Sequence, residues 1–395
     1  MTGWIWRPFA FIAYVYAGYP VLLAVAARLR RPPVRPTLLD PPAVTLLIAA
    51  HDEEAELEER IANARELDYP ADRLQVLVAD DGSTDATPEI LERAAVETVR
   101  LPTRGGKAAA LAAAIGMARG DVVVFSDANT RYERDALRPL VSWFADERIG
   151  AVAGAKRISG GPAGLSEAER LYWRYDAFLS RHEHRLGCCS AAEGGVFAIR
   201  RTLFERIPPD VMDDFWLAMR IARQGYNIAY EPDARSWETT SASAAGESVR
   251  RARIVAGRFH AMARTGDLLS LRRPVVAWQI VSHKFMRPLV PFAAILGGLA
   301  SVVAAARGRR RAASAAVSAQ LVFYAAAWAG GRYGRHAGWR RILYVPTYLV
   351  RSNIAAIRGF LMFLRGLDPH WERVERTPAM DVSPPPPGPH PGTRR

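Results

Sequence analysis

The sequence predicts an α/β fold in which a mainly parallel sheet is flanked by membrane helices at both ends of the chain. Three observations support this prediction. Short apolar runs alternate with helical segments between Pro41 and about Tyr230, as in a doubly wound sheet. Polar motifs follow several of these runs, at the strand ends where parallel sheets collect their ligands. Long uncharged stretches lie before and after this region.

Five short apolar runs are the predicted strands of the sheet. They are Val44–Ala49, Leu74–Ala79, Val96–Leu101, Asp121–Phe125 and Ile149–Gly154. Helical periodicity covers Glu53–Leu67 and Lys107–Ala118, and Pro70 and Gly120 end these two segments. The regular alternation of the two kinds of segment predicts parallel pairing with helical crossovers.

The first apolar stretch predicts a membrane anchor. Phe9 to Ala27 is uncharged and long enough for one helical span, and four arginines follow closely. A cleaved signal peptide is the alternative, since Ala24-Val25-Ala26 resembles a cleavage site. The length of the stretch and its aromatic residues favour an anchor in residues 1–30, with its C-terminal end in the cytoplasm.

The last third of the chain predicts further membrane helices. Leu289–Ala306 and Ala312–Gly331 are uncharged and each could span a bilayer. Ile342–Leu364 contains charged residues, so it fits an interfacial or tilted helix as well as a span. The predicted organisation is therefore an anchor at 1–30, a catalytic domain at 41–260, an amphipathic and transmembrane region at 261–366, and a tail at 367–395 whose proline-rich end is disordered.

The charge balance points to a membrane surface or an anionic substrate. The formal net charge is +13, but lysine supplies only three of the 53 basic residues. Such a bias reflects genomic base composition in part, so it gives little support to nucleic-acid binding, and no nucleic-acid partner is predicted. The two cysteines are adjacent and cannot build a disulfide framework, which suits a reducing compartment.

Acidic residues follow the first two predicted strands. His51, Asp52 and Glu53 come after the first strand, and Asp80 and Asp81 come after the second. An acid at such a position can accept hydrogen bonds from the base or ribose of a nucleotide. A dinucleotide-binding oxidoreductase would need a glycine-rich loop after the first strand, and the sequence AAHDEE has none.

Two further motifs suit a diphosphate and its metal ion. Arg104-Gly105-Gly106-Lys107 opens a helix and offers backbone donors and two cations. Asp127 and Asn129, separated by one residue at a strand end, supply two oxygen ligands for Mg²⁺ or Mn²⁺. Later in the chain, Asp213 and Asp214 begin a helix, where they can cap its first turn or provide a general base.

These motifs, read in order as AHDEE, DDGSTD, RGGK, SDANT, EGGVFAIRR and DDF, resemble those of the family 2 glycosyltransferases. The resemblance covers roughly residues 44 to 257 and implies a nucleotide-diphospho-sugar transferase fold of the GT-A type. The flanking apolar segments resemble the membrane-bound branch that includes cellulose, chitin, hyaluronan and poly-N-acetylglucosamine synthases.

The resemblance implies a role for each matching residue. The donor-binding residues it implies are His51, Asp52, Glu53, Asp80, Asp81, Lys107 and Asp127. Asp127 and Asn129 match the metal-binding pair, Asp214 matches the catalytic base, and Asp213 matches its companion. The acceptor-side residues it implies are Gly194, Gly195 and Arg253.

Three positions depart from the pattern of the family. Asp52 stands where the family has asparagine, and Asn129 stands where it has a carboxylate, which lowers the expected metal affinity. Ile254 stands where processive synthases have a tryptophan that stacks on the acceptor sugar. Transfer of one or a few sugars is therefore at least as well supported as processive polymerisation.

The sequence thus predicts an inverting glycosyltransferase at the cytoplasmic face of an inner membrane, spanning it several times. It would use a divalent cation, Mg²⁺ or Mn²⁺, and a nucleotide-diphospho-sugar, with a UDP-sugar favoured. The acceptor would be a saccharide or a lipid-linked molecule, in polysaccharide or glycolipid synthesis. The alternative is a non-catalytic membrane subunit that binds sugar nucleotides for a synthase or transporter.

Overall fold

The computed structural model describes residues 3–159, 163–190, 195–239, 244–264, 266, 269–333 and 344–366. Within these residues, eight strands form one sheet in the order β3-β2-β1-β4-β7-β6-β8-β5. The strands are β1 Val44–Ala50, β2 Leu74–Asp80, β3 Glu97–Arg100, β4 Val122–Asp127, β5 Thr130–Tyr132, β6 Ile149–Ser159, β7 Phe197–Arg200 and β8 Asn227–Thr239.

The sheet has a parallel half and a mixed half. Strands β3, β2, β1 and β4 are parallel neighbours, as the alternation of strands and helices predicted. Beyond β4, strand β7 runs antiparallel to both β4 and β6, and β5 runs antiparallel to β8. Only β6 and β8 pair in parallel there. The α/β fold is confirmed, and the sheet is mixed.

The helices between residues 57 and 263 connect the strands and cover both faces of the sheet. They are α2 Leu57–Arg65, α3 Thr87–Arg93, α4 Lys107–Ala114, α5 Leu137–Ser142, α6 Ala163–Arg185, α7 Asp213–Arg223 and α8 Ala244–Ala263. Helices α4 and α7 pack on one face, and α2, α3 and α5 pack on the other. Every residue of β1 is buried, as expected for a central strand covered on both sides.

Among the described residues, three helices are long and apolar enough to cross a membrane. They are α1 Gly3–Arg28, α9 Pro274–Ala306 and α10, whose apolar part is Arg310–Arg332. The fourth candidate forms helix α11, Tyr344–Leu364, but it falls outside this class. It lies instead against α8, where a Cβ on Gly359 would come within 2.5 Å of the Ala252 carbonyl oxygen. The glycine therefore allows two helices to approach closely.

A buried polar cluster joins α1 and α9 to α6. The ring of His283 is fully buried, with Nδ1 2.8 Å from Glu183 Oε1 and Nε2 3.0 Å from Asp176 Oδ1. The Tyr19 hydroxyl also donates to Glu183, at 2.5 Å. Groups of this kind are costly to bury without partners, so the cluster fixes one arrangement of the three helices. The predicted domain boundaries stay predictions, and the tail from residue 367 lies outside the described residues.

Candidate active site

The carboxyl ends of β1, β2 and β4 bring the predicted donor-side residues to one edge of the sheet. Strand β1 lies between the other two, with Ala50 paired to Asp80 and Ala49 paired to Asp127. The segments that follow these strands therefore start side by side. The sequence separates them by up to about 80 residues, and the parallel pairing removes that separation.

The residues after β1 brace the loop after β2. His51 is buried, and its Nδ1 lies 2.9 Å from the Asp81 carbonyl oxygen, which accepts the hydrogen bond. Asp52 has a positive φ of 52°, and its Oδ1 accepts from the Thr84 amide at 2.8 Å. Burial acts to raise the pKa of Asp52, but the Thr84 amide and His51 outweigh it and lower that pKa. Asp52, which stands where the family has asparagine, is thus an anion that binds the loop after β2.

Glu53 and Asp80 are both buried behind this edge. The Glu53 amide donates to Thr87 Oγ1 at 2.9 Å. Asp80 Oδ1 accepts from the amide and the hydroxyl of Ser83, at 3.0 and 2.5 Å. Asp80 Oδ2 lies 3.2 Å from Arg100 Nε in an ion pair, but it receives no hydrogen bond from any described residue. This oxygen is fully buried and paired with Arg100, so its use by an N–H of a nucleotide base stays a prediction.

Asp81 holds the glycine-rich loop in place. Its carboxylate accepts from the amides of Gly105 and Gly106 at 2.7 to 2.9 Å. Gly106 has φ +88°, and Gly82 has φ +65° with the carbonyl carbon of Thr103 2.7 Å from where a Cβ would lie. The expectation that these two loop amides face a diphosphate is therefore wrong for this conformation. Asp81 takes both of them, so it shapes the loop from which Lys107 extends.

Lys107 joins the metal motif to the acidic pair. Its Nζ lies 2.7 Å from Asp127 Oδ1 and 3.0 Å from Asp213 Oδ2. Burial alone would lower the pKa of Lys107, but these two carboxylates outweigh it and raise that pKa well above its ordinary value. The ammonium group is therefore held charged between two anions that come from β4 and α7.

Asp214 lies next to this ion pair in the first turn of α7. Its Oδ1 accepts from the Phe215 amide at 2.6 Å, which fixes its orientation. Burial and the charge of Asp213 raise the pKa of Asp214 to about 6. A carboxylate with this pKa is ionised at pH 7 and is still basic enough to accept a proton from a hydroxyl group as a new bond forms.

The residues after β4 fit a divalent cation in part. Asp127 provides a carboxylate, and Asn129 is buried with no hydrogen bond from its amide to another described residue. No cluster of three or more His, Cys, Asp or Glu suited to a metal occurs in the described part of the chain. The protein therefore offers two oxygen ligands, and a bound diphosphate and water would have to complete the coordination of Mg²⁺ or Mn²⁺.

Arg60 packs behind this metal motif, and no pattern in the sequence predicted this contact. The side chain is fully buried, its Nη2 donates to Ser126 Oγ at 3.2 Å, and its guanidinium lies 4.8 Å from the centre of the Tyr132 ring. Burial lowers the pKa of Arg60 to about 10. Asn63, one turn further along α2, pairs with the backbone of Tyr132 through both atoms of its amide. Helix α2 thus holds both sides of the turn that carries Asp127 and Asn129.

The acceptor-side predictions are only partly described. Gly194 lies outside the described residues. Gly195 lies against β5 and β8, where its Cβ would come within 2.5 Å of Glu238 Oε1 and 3.2 Å of Thr130 Oγ1. Arg253 is partly buried on α8. The roles assigned to these and to the other site residues stay predictions.

Lys156 and Glu238 form a second buried ion pair, which the sequence motifs missed. A signal for it does exist in the sequence. Lysine is rare in this chain, and all three lysine side chains are largely buried, with Lys107 17% exposed, Lys156 8% and Lys284 5%. Almost all other basic residues of this protein are arginines, so in this chain the choice of lysine coincides with a buried position.

The fold defines a GT-A type nucleotide-sugar transferase architecture. The structure matches a solved mannosyltransferase, PcManGT from Pyrobaculum calidifontis in complex with GDP-Man and Mn²⁺, with a TM-score of 0.68 and 27% identity. The match covers 90% of this chain and 99% of that one. The predicted GT-A fold is therefore confirmed.

Residues 45–207 match the model of the glycosyl transferase family 2, which confirms the predicted resemblance to that family. The β-monoglucosyldiacylglycerol synthase of Synechocystis sp. is 32% identical over 216 residues, which are 51% of this chain and 45% of that protein. The poly-β-1,6-N-acetyl-D-glucosamine synthase of Staphylococcus aureus strain COL is 25% identical over 231 residues, 56% of each chain. The chain thus spans about half the length of the curated relatives it matches.

Proposed function

We propose that this protein is an inverting glycosyltransferase that moves a sugar from a nucleotide-diphospho-sugar to a saccharide or lipid-linked acceptor at the cytoplasmic face of a membrane. The observation that carries the proposal is the Lys107 ammonium between Asp127 and Asp213, with Asp214 beside it. This arrangement places a cation for a leaving diphosphate next to a carboxylate that can act as a base.

The chemistry assigns separate tasks to these groups. Asp80 Oδ2 accepts a hydrogen bond from the base of the donor, and Lys107 binds the diphosphate. A cation held by Asp127 and Asn129 would neutralise charge on the leaving nucleoside diphosphate. The oxygen of the acceptor hydroxyl bonds to the anomeric carbon of the donor sugar while Asp214 takes the proton of that hydroxyl. The bond between the anomeric carbon and the diphosphate oxygen breaks, and the nucleoside diphosphate leaves. Attack from the face opposite the diphosphate inverts the anomeric configuration.

The nucleotide of the donor is the least constrained part of the proposal. The motifs favour a UDP-sugar, whereas the matching mannosyltransferase structure contains GDP-Man. Membrane attachment is supported by the three apolar helices and by similarity to the two synthases above. Multi-pass insertion in an inner membrane, with the cleft in the cytoplasm, belongs to the proposal.

The test uses the full chain purified in detergent. UDP-glucose, UDP-N-acetylglucosamine and GDP-mannose are each incubated with Mg²⁺ or Mn²⁺, and released nucleoside diphosphate and the anomeric configuration of products are measured. We expect hydrolysis of at least one donor, and Asp214→Asn should lower transfer by about 10²–10⁴-fold. The matched control is Asp233→Asn, since Asp233 is an exposed aspartate. Normal transfer by a folded Asp214→Asn variant would disprove the proposal.

A non-catalytic sugar-nucleotide-binding subunit is the competing hypothesis, motivated by the amide in the metal motif. Such a subunit would bind a donor, detected as a rise in its thermal unfolding temperature, without releasing nucleoside diphosphate under any metal condition. Release that depends on Asp214 would exclude it.

A further inference from the structure

A continuous series of contacts leads away from the donor site towards the membrane helices. It begins at Thr130, the residue after Asn129, whose Oγ1 donates to Glu238 Oε1 at 3.3 Å. Glu238 pairs with Lys156, and the Lys156 ammonium lies 5.1 Å from the centre of the Trp173 ring. The side chains of Lys156 and Glu238 are about nine-tenths buried. The series therefore starts within one residue of the metal motif.

Aromatic rings continue the series along α6. The Trp173 and Tyr172 rings meet edge to face with centres 5.3 Å apart, and Tyr172 lies 6.0 Å from Tyr348 on α11. The Arg287 guanidinium lies 5.7 Å from the Tyr172 ring, at the point where α9 begins its apolar part. Trp173 and Tyr172 are only partly buried, so each keeps some exposed surface. We call Lys156, Glu238, Trp173, Tyr172 and Arg287 the aromatic lane.

The far end of the aromatic lane carries an unused hydrogen-bond donor. Arg287 is nine-tenths buried and its Nη1 lies 3.2 Å from Asp176 Oδ1. Its Nη2 is buried and has no acceptor among the described residues. A buried donor without an acceptor is costly, so this nitrogen indicates a missing partner with an oxygen atom.

The chemistry of the aromatic lane selects a neutral saccharide. Lys156 is paired with Glu238, and Arg287 is paired with Asp176, which also contacts His283, so no unpaired cation demands an anion. An acyl chain would need a lining without charges. Rings that alternate with hydrogen-bonding groups suit a sugar, whose C–H faces pack on aromatic rings while its hydroxyl groups take up the polar atoms.

We propose that the aromatic lane is the binding site for the acceptor, and that the acceptor is a saccharide at least two residues long. This proposal rests on the proposed glycosyl transfer. The sugar that receives the new residue would lie by Trp173 and Lys156, and the following sugar would lie by Tyr172 and Arg287. Trp173 then supplies the aromatic surface that Ile254 lacks.

The experiment separates use of the donor from use of the acceptor. Donor hydrolysis in water needs only the donor side, whereas transfer also needs the aromatic lane. The acceptors are methyl glucoside, methyl mannoside, cellotetraose, mannotetraose, and monoglucosyldiacylglycerol in micelles. The variants are Trp173→Ala, Tyr172→Ala and Arg287→Lys, with Phe178→Ala as control because Phe178 is an exposed aromatic residue on the same helix.

We expect a tetrasaccharide to have an acceptor KM at least tenfold below that of its methyl monosaccharide. Trp173→Ala and Tyr172→Ala should each raise the tetrasaccharide KM about tenfold, with donor hydrolysis within about twofold of the parent. Arg287→Lys keeps the charge but should also raise the tetrasaccharide KM, and Phe178→Ala should leave this KM unchanged.

Three results would overturn the assignment of the aromatic lane and leave the proposed transfer intact. They are an unchanged acceptor KM in both alanine variants, an equal loss of donor hydrolysis and transfer, and transfer to the lipid acceptor alone. A parent protein that hydrolyses no donor would instead overturn the proposed function itself.

Discussion

The two sides of the cleft use a buried lysine in different ways. On the donor side, Lys107 is shared by Asp127 and Asp213, which belong to elements far apart in the chain. On the proposed acceptor side, Lys156 pairs with Glu238 from the strand beside its own. The shared lysine lies among more negative than positive charges, so an incoming diphosphate and cation can rearrange it. Lys156 and Glu238 form a neutral pair, so an incoming charge exerts little net force on it.

The largest effect should come from removing one lysine or the other. Lys107→Met leaves three carboxylates near one another without their cation, and we expect donor hydrolysis and transfer to fall together by about 10²–10³-fold. The matching change is Lys156→Met with Glu238→Gln, because removing only one partner would leave a buried charge. It should impair transfer while donor hydrolysis stays within about threefold. Both rates are measured as release of nucleoside diphosphate with and without acceptor.

Similar losses of donor hydrolysis in the two variants would contradict the division of labour between the two sides. Thermal unfolding of each variant in detergent serves as the control for folding.

Alanine substitutions at two glycines, one on each side, compare the two sides through the free energy of unfolding. Gly82, on the donor side, has a positive φ, and a Cβ there would lie 2.7 Å from the backbone of Thr103. Gly82→Ala should therefore cost about 2–3 kcal/mol of unfolding free energy. Gly195 has no positive φ, and the atom nearest to its added Cβ is Glu238 Oε1, whose bond to Thr130 and pairing with Lys156 would have to shift. Gly195→Ala should therefore cost about 1 kcal/mol and act mainly on transfer. Denaturant unfolding in detergent measures both, and equal costs would contradict the difference in backbone strain.

The donor side could be predicted from the sequence because each of its motifs directly follows a strand of the parallel half. Once β1, β2 and β4 are neighbours, Asp80 and Asp127 must lie at one edge. The acceptor side could not be predicted in this way. Strands β5, β7 and β8 were missed because their sequences are short or rich in charged residues, and Lys156 meets Glu238 only through the pairing of β6 with β8.

Local hydrogen bonding was also hidden from the sequence. The loop amides of Gly105 and Gly106 were expected to face a diphosphate, but an acidic side chain on the neighbouring loop reaches them first. The role of the buried Arg60 was hidden for the same reason. Only the packing of α2 against β4 shows that Arg60 supports the metal motif. Motifs predict which residues converge, and the packing between loops decides which of their atoms are used.

The pH dependence of kcat/KM should reflect the ionisation of Asp214 beside Asp213. Burial and, after it, the charge of Asp213 raise the pKa of Asp214 to about 6. As the pH rises through 6, Asp214 loses its proton and becomes a base, so kcat/KM should rise with pH and level off near 7. Asp213→Asn removes the neighbouring charge and should move this acidic limb to lower pH. A limb that stays in place would show that Asp214 is not the titrating base.

The smallest effect concerns the amide of the metal motif. Asn129 supplies a neutral oxygen where related enzymes have a carboxylate, so Asn129→Asp should tighten Mn²⁺ binding several-fold because the added charge attracts the cation directly. Binding is measured with Mn²⁺ alone by the loss of its electron paramagnetic resonance signal. Asp127→Ala is the control, and it should abolish both binding and transfer. An Asn129→Asp variant that binds Mn²⁺ no better than the parent would indicate that Lys107, held 2.7 Å from Asp127, limits access of the metal more than the missing charge does.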